Sequence, residues 1–559
     1  MMSAGVEHSS AAKCKTEILR RMGGKARSVY VLNGNEVHVV LAGKQDIPDA
    51  CYCINDDLKA RLATVVCSDE RQAGRGFVLR YVFAKENGED VFIVATAGIK
   101  DDAEPGTPPS FPSISSRIPP AALYEREIKD MFGLVPEGNP DTRPLVLHEQ
   151  WPAGVHPLRK DFAAGTKAGR TNGSQYRFAK VEGEGICEIP VGPVHAGIIE
   201  PGHFRFSVLG ENIVNLETRL FYTHKGTEKL AEGMTLDQVL LLSERIAGDE
   251  AVANSTAYCQ ALEKIARAKV PKKALATRTA CAELERIYNH LGTLAGMSTD
   301  VGFAYGAARL NILKERMMQL NGQVTGSRLL FGVNRVGGVG VDLEDKAQVI
   351  VKTTNHVLED FQRVISMLRN KSSVMDRLRN TGIISRQVAT DLGLVGVAAR
   401  CAGIDIDTRR DHPYAAYDSV RLDAHHDTPQ RMMEYEVEMQ KRKGDALSRF
   451  EVRVEEVLNS ASMINQVMNE LHDGELVAAE VRERLEPYSH ALGCAESHRG
   501  QTVHWVMVGS DRDSLFRYKV RTASFLNWPA IEQAVLSDIV PNFPLVNKSL
   551  DLSYSGNDL

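Results

Sequence analysis

Seven apolar residues, Phe450, Val454, Val457, Ala461, Ile464, Met468 and Leu471, recur at alternating steps of four and three. That spacing puts them on one face of a helix about six turns long. A stripe of that length must be covered by other helices, so the chain is expected to hold a helical bundle with this helix at its centre. Val357, Phe361, Val364, Ile365 and Leu368 mark a second amphipathic helix.

The helical pattern begins only after Thr235, which with Gln238 has the spacing of a capping box. Upstream the signals are those of strands. "SVYVLNGNEVHVVLAG" alternates around "NGN", and "GFVLRYVFAKENGEDVFIVATAG" repeats the pattern around "ENGED"; both read as hairpins. A Pro/Ser-rich loop then leads into a short helix at "ALYEREIKDMFG". Residues 1–150 read as a small α/β domain. Residues 151–180 read as an extended arm and joint, with "AAGTKAGRTNGSQYRFAK" as the more flexible part. Residues 181–559 read as a mainly helical domain flanked by β-structure. The fold class is α+β. "QTVHWVMVGS" and "LFRYKVRTASF" return to strand, and "DLSYSGNDL" closes as a loop.

At 559 residues the chain exceeds one core. A net charge of -5 and a pI near 6.4 argue against nucleic acid as a partner. The N-terminus has no apolar h-region and no segment nears the roughly 18 residues of a membrane span. Nine scattered cysteines suit a reducing compartment; Cys51 and Cys53 form a lone C-x-C, a weak metal signal. In "DAHHDTP", His425, His426 and Asp427 read as a solvated turn. "GVNRVGGVGVD" matches no phosphate-loop spacing and reads as a packing loop.

Several stretches together carry a resemblance. "YEREIKDMFGLVPEGNPDTRPLVLHEQWPAGVHPLRKDF" (124–162) resembles the C subunit of respiratory complex I. "GPVHAGIIEPGHFRF", "THKGTEKLAEG", "ELERIYNHLG", "GSRLLFGVNRVGGVG" and "GVAARCAGIDIDTRRDHPYAAY" resemble the large subunit of group 4 membrane-bound nickel–iron hydrogenases and the related D subunit of complex I. The fusion is similar to the large subunits of formate hydrogenlyase and hydrogenase-4 complexes.

That family holds its metals with two C-x-x-C pairs. The resemblance places Ala247 and Glu250 of "ERIAGDEAVANSTAY" at the first pair, and Ser553 and Gly556 of "DLSYSG" at the second. All four thiols are replaced, and Cys259 lies about three helical turns from the first position. Nickel and hydrogenase activity are therefore expected to be absent, and this chain itself is expected to bind no cofactor. With no metal to insert, no cleaved C-terminal extension is expected.

For quinone chemistry, the resemblance implies that His195 and Asp300 are the retained cavity pair. The quinone tyrosine falls on Leu236, the cluster-side arginine on Met234 and the cluster-tuning histidine on Leu330 or Phe331. Glu244 matches a proton-transfer glutamate. His195, Asp300, Glu244 and Glu250 are thus the candidate proton carriers, with His195 and Asp300 as a possible quinone site. The plainer readings are a structural turn for His195, an ion pair with Arg286 for Asp300, and an ion pair with Arg245 or Arg278 for Glu244 or Glu250.

The implied setting is a peripheral subunit at the cytoplasmic face of the cell membrane, in a proton-translocating complex. The implied partners are a small subunit carrying a 4Fe-4S cluster, a membrane anchor, antiporter-like membrane subunits and a ferredoxin-like subunit. Another reading is a scaffold that caps a transport module without chemistry of its own.

Overall fold

A computed structural model describes residues 10–559 apart from 87, 101–106, 174, 198, 423–436 and 472. His425, His426 and Asp427 lie outside the described residues.

Both hairpins form where the alternation places them. β1 (Ala26–Leu32) and β2 (Glu36–Leu41) flank Asn33 and Gly34, whose positive φ values make the tight turn. β3 (Arg61–Asp69), β4 (Phe77–Lys85) and β5 (Val91–Ile99) complete a sheet of order β1-β2-β5-β4-β3, parallel only between β2 and β5. Its central strands are buried on both faces. Val65, Tyr81 and Ile93 pack with Tyr124 and Ile128 of the helix Ala121–Phe132. Val66, Val82 and Val94 pack on Leu492 and Trp505 of a C-terminal sheet. The short strands β6 (Ser110–Pro112) and β7 (Val135–Glu137) pair beside that helix.

The arm after it is stitched down through its backbone. Asp130 Oδ2 accepts the amides of Leu145 at 2.8 Å and Val146 at 2.9 Å. Arg126 Nε and Arg219 Nη1 donate to the carbonyls of Arg143 and Pro144 at 3.0 and 2.9 Å. Among its described residues the joint holds no regular element, yet Glu217 Oε2 accepts the Ala179 amide at 2.6 Å.

β8 (Ile186–Val191), β9 (His203–Leu209) and β10 (Asn212–Arg219) form an antiparallel sheet. Thr235 caps the next helix with the expected reciprocal Gln238 box. The bundle comprises the helices Lys272–Asp300, Ala304–Thr325, Ala347–Arg369 and Ala446–Asn469 around Leu284, Leu313, Phe361, Phe450 and Ile464. Both predicted stripes face this core. Only Leu471 falls past its helix end, half-buried against the cluster.

"GVNRVGGVGVD" is a packing loop. It carries the two-residue strands β11 (Asn334–Arg335) and β12 (Gly338–Val339), and Asn334 Nδ2 donates to Ser255 Oγ and Thr256 Oγ1. The C-terminal sheet has one strand more than the alternation revealed: β13 (His490–Ser497) precedes β14 (Gly500–Val508) and β15 (Leu515–Arg521). β13 lies flush on the helix Ala251–Ile265. A Cβ at Gly493 would sit 1.8 Å from the Ala257 carbonyl, so only glycine allows that approach. The closing "DLSYSGNDL" is a helical turn, Tyr554–Asp558, rather than a loop. Ser553 caps it by accepting the Gly556 amide at 2.9 Å. Among the described residues no helix is long and apolar enough to cross a membrane.

Candidate functional site

The helix after the "SERIAGDE" loop starts at Ala251, and Asn254 and Ser255, the residue types that usually cap a helix, lie inside it. Glu250 takes the cap position without a side-chain bond. The open amides are met from the neighbouring helix: Glu285 accepts Val252 N at 2.7 Å and Ala253 N at 3.1 Å. A buried acid from another helix thus does the work of a local cap.

The two distant segments that hold Ala247 and Ser553–Gly556 meet. A Cβ built on Gly556 would lie 3.5 Å from the Ala247 Cβ and 2.9 Å from Ser553 Oγ. Ala247 is buried, and the Ser553 hydroxyl is taken up by its own turn.

The group that joins the segments is Arg499. Its Nη2 donates to Asp249 Oδ2 at 2.7 Å, its Nη1 lies 3.4 Å from Glu250 Oε1, and its Nε donates to the Asp551 carbonyl. Glu250 Oε1 also accepts Ser497 Oγ at 2.6 Å. Its partner is therefore neither Arg245 nor Arg278. Arg278 pairs with Glu263 at 2.6 Å, and Arg245 lies over Phe331 and pairs with Glu244 at 3.6 Å. The sequence concealed Arg499 because the contact spans the whole helical domain. The only local signal is "HRG" at the tight β13–β14 turn.

Glu250 Oε2 and Arg499 Nη1 are buried and make no hydrogen bond. Burial pushes the Glu250 carboxyl above the ordinary glutamate range, against the pull of Arg499. Burial likewise raises Glu285 well above that range, against its two amide bonds. Asp551 is the opposite case. Burial opposes its charge, but Lys548, His498 and Arg499 outweigh that and hold it well below the aspartate range. Glu244 accepts the Gly332 amide at 2.7 Å; its Oε2 has no hydrogen bond, and burial raises it.

The other two candidates make no bond to Glu250 or Arg499, but each lies one residue from the closing segment: Gly202, which holds His195, packs on Tyr554, and Lys548, which faces Asp300, pairs with Asp551 at 3.0 Å. His195 Nε2 donates to the Gly202 carbonyl at 2.7 Å, in the turn between β8 and β9. Asp300 ends its helix half-buried, raised by burial against the pull of Lys548. Arg286 is not its partner, since it pairs with Glu283 and Glu456. Among the described residues no hydrogen bond or ion pair joins His195 to Asp300. At the positions discussed above, Leu236, Leu330 and half-buried Met234 are packed in apolar clusters.

A nickel–iron centre does not fit these donors. The three positions that meet offer a methyl, a committed hydroxyl and a bare glycine, where soft thiolates are required. The remaining carboxylate shares its space with a guanidinium, which repels a metal cation.

Two family descriptions match in the order of the two halves. "Respiratory-chain NADH dehydrogenase, 30 Kd subunit" covers residues 40–168 and the 49 Kd subunit covers 300–491. Formate hydrogenlyase subunit 5 of Escherichia coli (strain K12) is 33% identical over 502 residues, 89% of this chain and 84% of that protein. Hydrogenase-4 component G of the same organism is 34% identical over 516 residues, 92% of this chain and 86% of that protein. A solved archaeal respiratory membrane complex, the membrane-bound sulfane sulfur reductase, contains a chain of the same fold. Its TM-score is 0.61 at 23% identity, over 67% of this chain and 99% of that one. With both halves matched in order and nearly the whole length aligned, the chain belongs to the family of formate hydrogenlyase subunit 5 and hydrogenase-4 component G, related to the 30 Kd and 49 Kd subunits of respiratory NADH dehydrogenase.

Proposed function

We propose that this chain is a peripheral-arm subunit of a membrane-bound, proton-translocating oxidoreductase complex and that it performs no hydrogen chemistry. One observation carries the reading: Ala247, Ser553 and Gly556, which the resemblance sets at the family's metal thiolates, come together, with Arg499 as the link between their segments. Kinship to hydrogenase and NADH-quinone oxidoreductase subunits supports the setting.

In this reading the chain binds no cofactor. Electrons travel through a 4Fe-4S cluster in a partner small subunit, supplied by a ferredoxin-like subunit. A membrane anchor and antiporter-like subunits carry the ion movement. The complex sits at the cytoplasmic face, and residues 124–162 contribute to the contact with the small subunit. Glu250 takes and gives a proton at Oε2, the oxygen with no bond, in a site whose burial raises its carboxyl above the ordinary glutamate range. Glu244 is a second carrier. His195 and Asp300 serve a quinone-side region that borders the closing segment, where no Tyr stands at the position of Leu236.

The test is metal analysis of the purified complex together with proton uptake by Glu250→Gln membranes. Nickel is expected to be absent, and translocation is expected to fall while assembly is kept. Stoichiometric nickel would overturn the reading of the centre. Unchanged translocation would remove the relay and leave the chain as a scaffold.

A further inference from the structure

Away from the Arg499 centre, a groove of about 610 Å³ opens between the end of the helix Ala121–Phe132, the stitched arm and the joint. Its apolar lining includes Val135, Pro144, Leu147, Trp151 and Val155. Trp151 is held in place, since its Nε1 donates to the Val155 carbonyl at 2.8 Å. Tyr176 on the joint lies under the guanidiniums of Arg143 and Arg219, 5.3 and 4.3 Å from its ring centre.

The charge of this groove is one-sided. Lys129, Arg143 and Arg177 line it, with His148 and His156. The lining has two acids, Asp130 and Glu149, and both are spent on the fold. Asp130 holds the arm amides, and Glu149 pairs with Arg219 at 3.1 Å. Among the cations, Arg143 is shared with Asp141 and Glu217, and Lys129 donates only to the Thr142 carbonyl. Exposed Arg177 has its carbonyl bonded to Arg143. His156 uses Nδ1–H on the Asp130 carbonyl and turns Nε2 toward Gly133, where a Cβ would lie 2.3 Å from it. Burial keeps His156 below its ordinary value, so it is neutral near pH 7.

An apolar, aromatic trough whose free charges among the described residues, Lys129 and Arg177, are both positive suits an extended chain better than a folded face. Such a chain would place apolar side chains along the trough and carboxylates against its rim. We propose that this groove receives an extended acidic segment of a neighbouring subunit of the complex. The inference rests on the complex of the preceding subsection and narrows where a partner meets residues 124–162.

The experiment uses the intact complex. A photo-reactive phenylalanine analogue replaces His148 or, separately, Val155, and the cross-linked peptides are mapped by mass spectrometry. The expected product is one partner segment with several Asp or Glu residues and no regular secondary structure. The double reversal Lys129→Glu with Arg177→Glu should cut the cross-link yield about tenfold, and added salt should lower it in the parent. Lys352→Glu, on an exposed face of a distant helix, should leave the yield unchanged.

Cross-links confined to this chain, a neutral or basic partner segment, or a yield indifferent to the double reversal would each overturn the groove assignment. A chain that purifies alone from membranes would overturn the complex as well, which separates the two failures. A melting curve matched to the parent guards against a folding defect.

Discussion

Two ionic clusters lie inside the helical domain, and they are built on opposite plans. In the bundle, Glu456 meets His290 at 2.8 Å, Arg400 at 2.5 Å and Arg286 at 3.4 Å. Glu283 meets Arg286, Arg409, Tyr417 and Ser460, and Glu496 meets Arg400 and Thr408. Every acid there has more than one donor. Around the "SERIAGDE" loop, one guanidinium faces Asp249 and Glu250 while Glu285 stands close by on helix amides, and two polar atoms have no hydrogen bond. The first plan fixes charges; the second keeps one acid able to change its protonation.

The titrations follow the same division. Burial opposes charge on Glu456 and Glu283, but their cations outweigh it and hold both below the glutamate range. Their contribution to stability is present above the unfolded value of 4.5 and is lost as pH falls through the lower folded value. Glu250, Glu285 and Glu244 are raised. Their contribution is complete below 4.5 and is lost as pH rises through the folded values. One cluster fails in acid and the other is penalised toward alkali.

The largest expected effect is in the bundle. Glu456→Ala strands two buried arginines and His290, and should cost about 4 kcal/mol, read by denaturant unfolding. A loss below about 1 kcal/mol would mean that water reaches the cluster, and the contrast between the plans would collapse.

How much of this was legible depended on how local the cause was. The bundle stripe from Phe450, the "NGN" hairpin and the Thr235–Gln238 box are each written within a few residues, and each formed as read. β13 was missed because "HALGCAES" is buried on nearly every residue, so no polar alternation marks it. The closing helical turn was missed because Ser553 caps only one short turn, whose burial comes from Trp528 and Thr522. Arg499 and Glu285 were invisible as site residues because their partners come from other elements. Composition says that an arginine is present, not which acids it will reach.

Arg499→Met is the middle case. Removing the guanidinium frees the Asp551 carbonyl and leaves Asp249 and Glu250 without their cation. Asp249 is 38% exposed and can turn to water, and Glu250 can hold a proton, so the cost should be about 2–3 kcal/mol rather than that of the bundle. Hydrogen exchange should quicken in 551–559 and 245–252 together, because one side chain holds both. Faster exchange in only one segment would break the idea that Arg499 joins them.

The smallest effect is the sharpest test of the comparison. Glu250→Gln keeps the shape and the acceptor for Ser497 Oγ, and it fixes the group in a neutral form. Well below pH 4.5, where the unfolded glutamate is also largely protonated, the stabilities of parent and variant should agree within about 0.5 kcal/mol. As pH rises, the unfolded parent ionises at this glutamate before the folded parent does, so the parent loses stability that the variant keeps. The variant should then be the more stable of the two at neutral pH, by about 1.4 kcal/mol for each unit by which Glu250 is raised. The same substitution at Glu283 should reverse the sign, since that acid is charged and paired when folded. Unfolding curves from well below pH 4.5 up to pH 8 decide it. Parallel curves for parent and Glu250→Gln would mean that Arg499 cancels the effect of burial; a parent that gains on the variant as pH rises would mean that Arg499 keeps Glu250 ionised, and the loop would then belong to the same plan as the bundle.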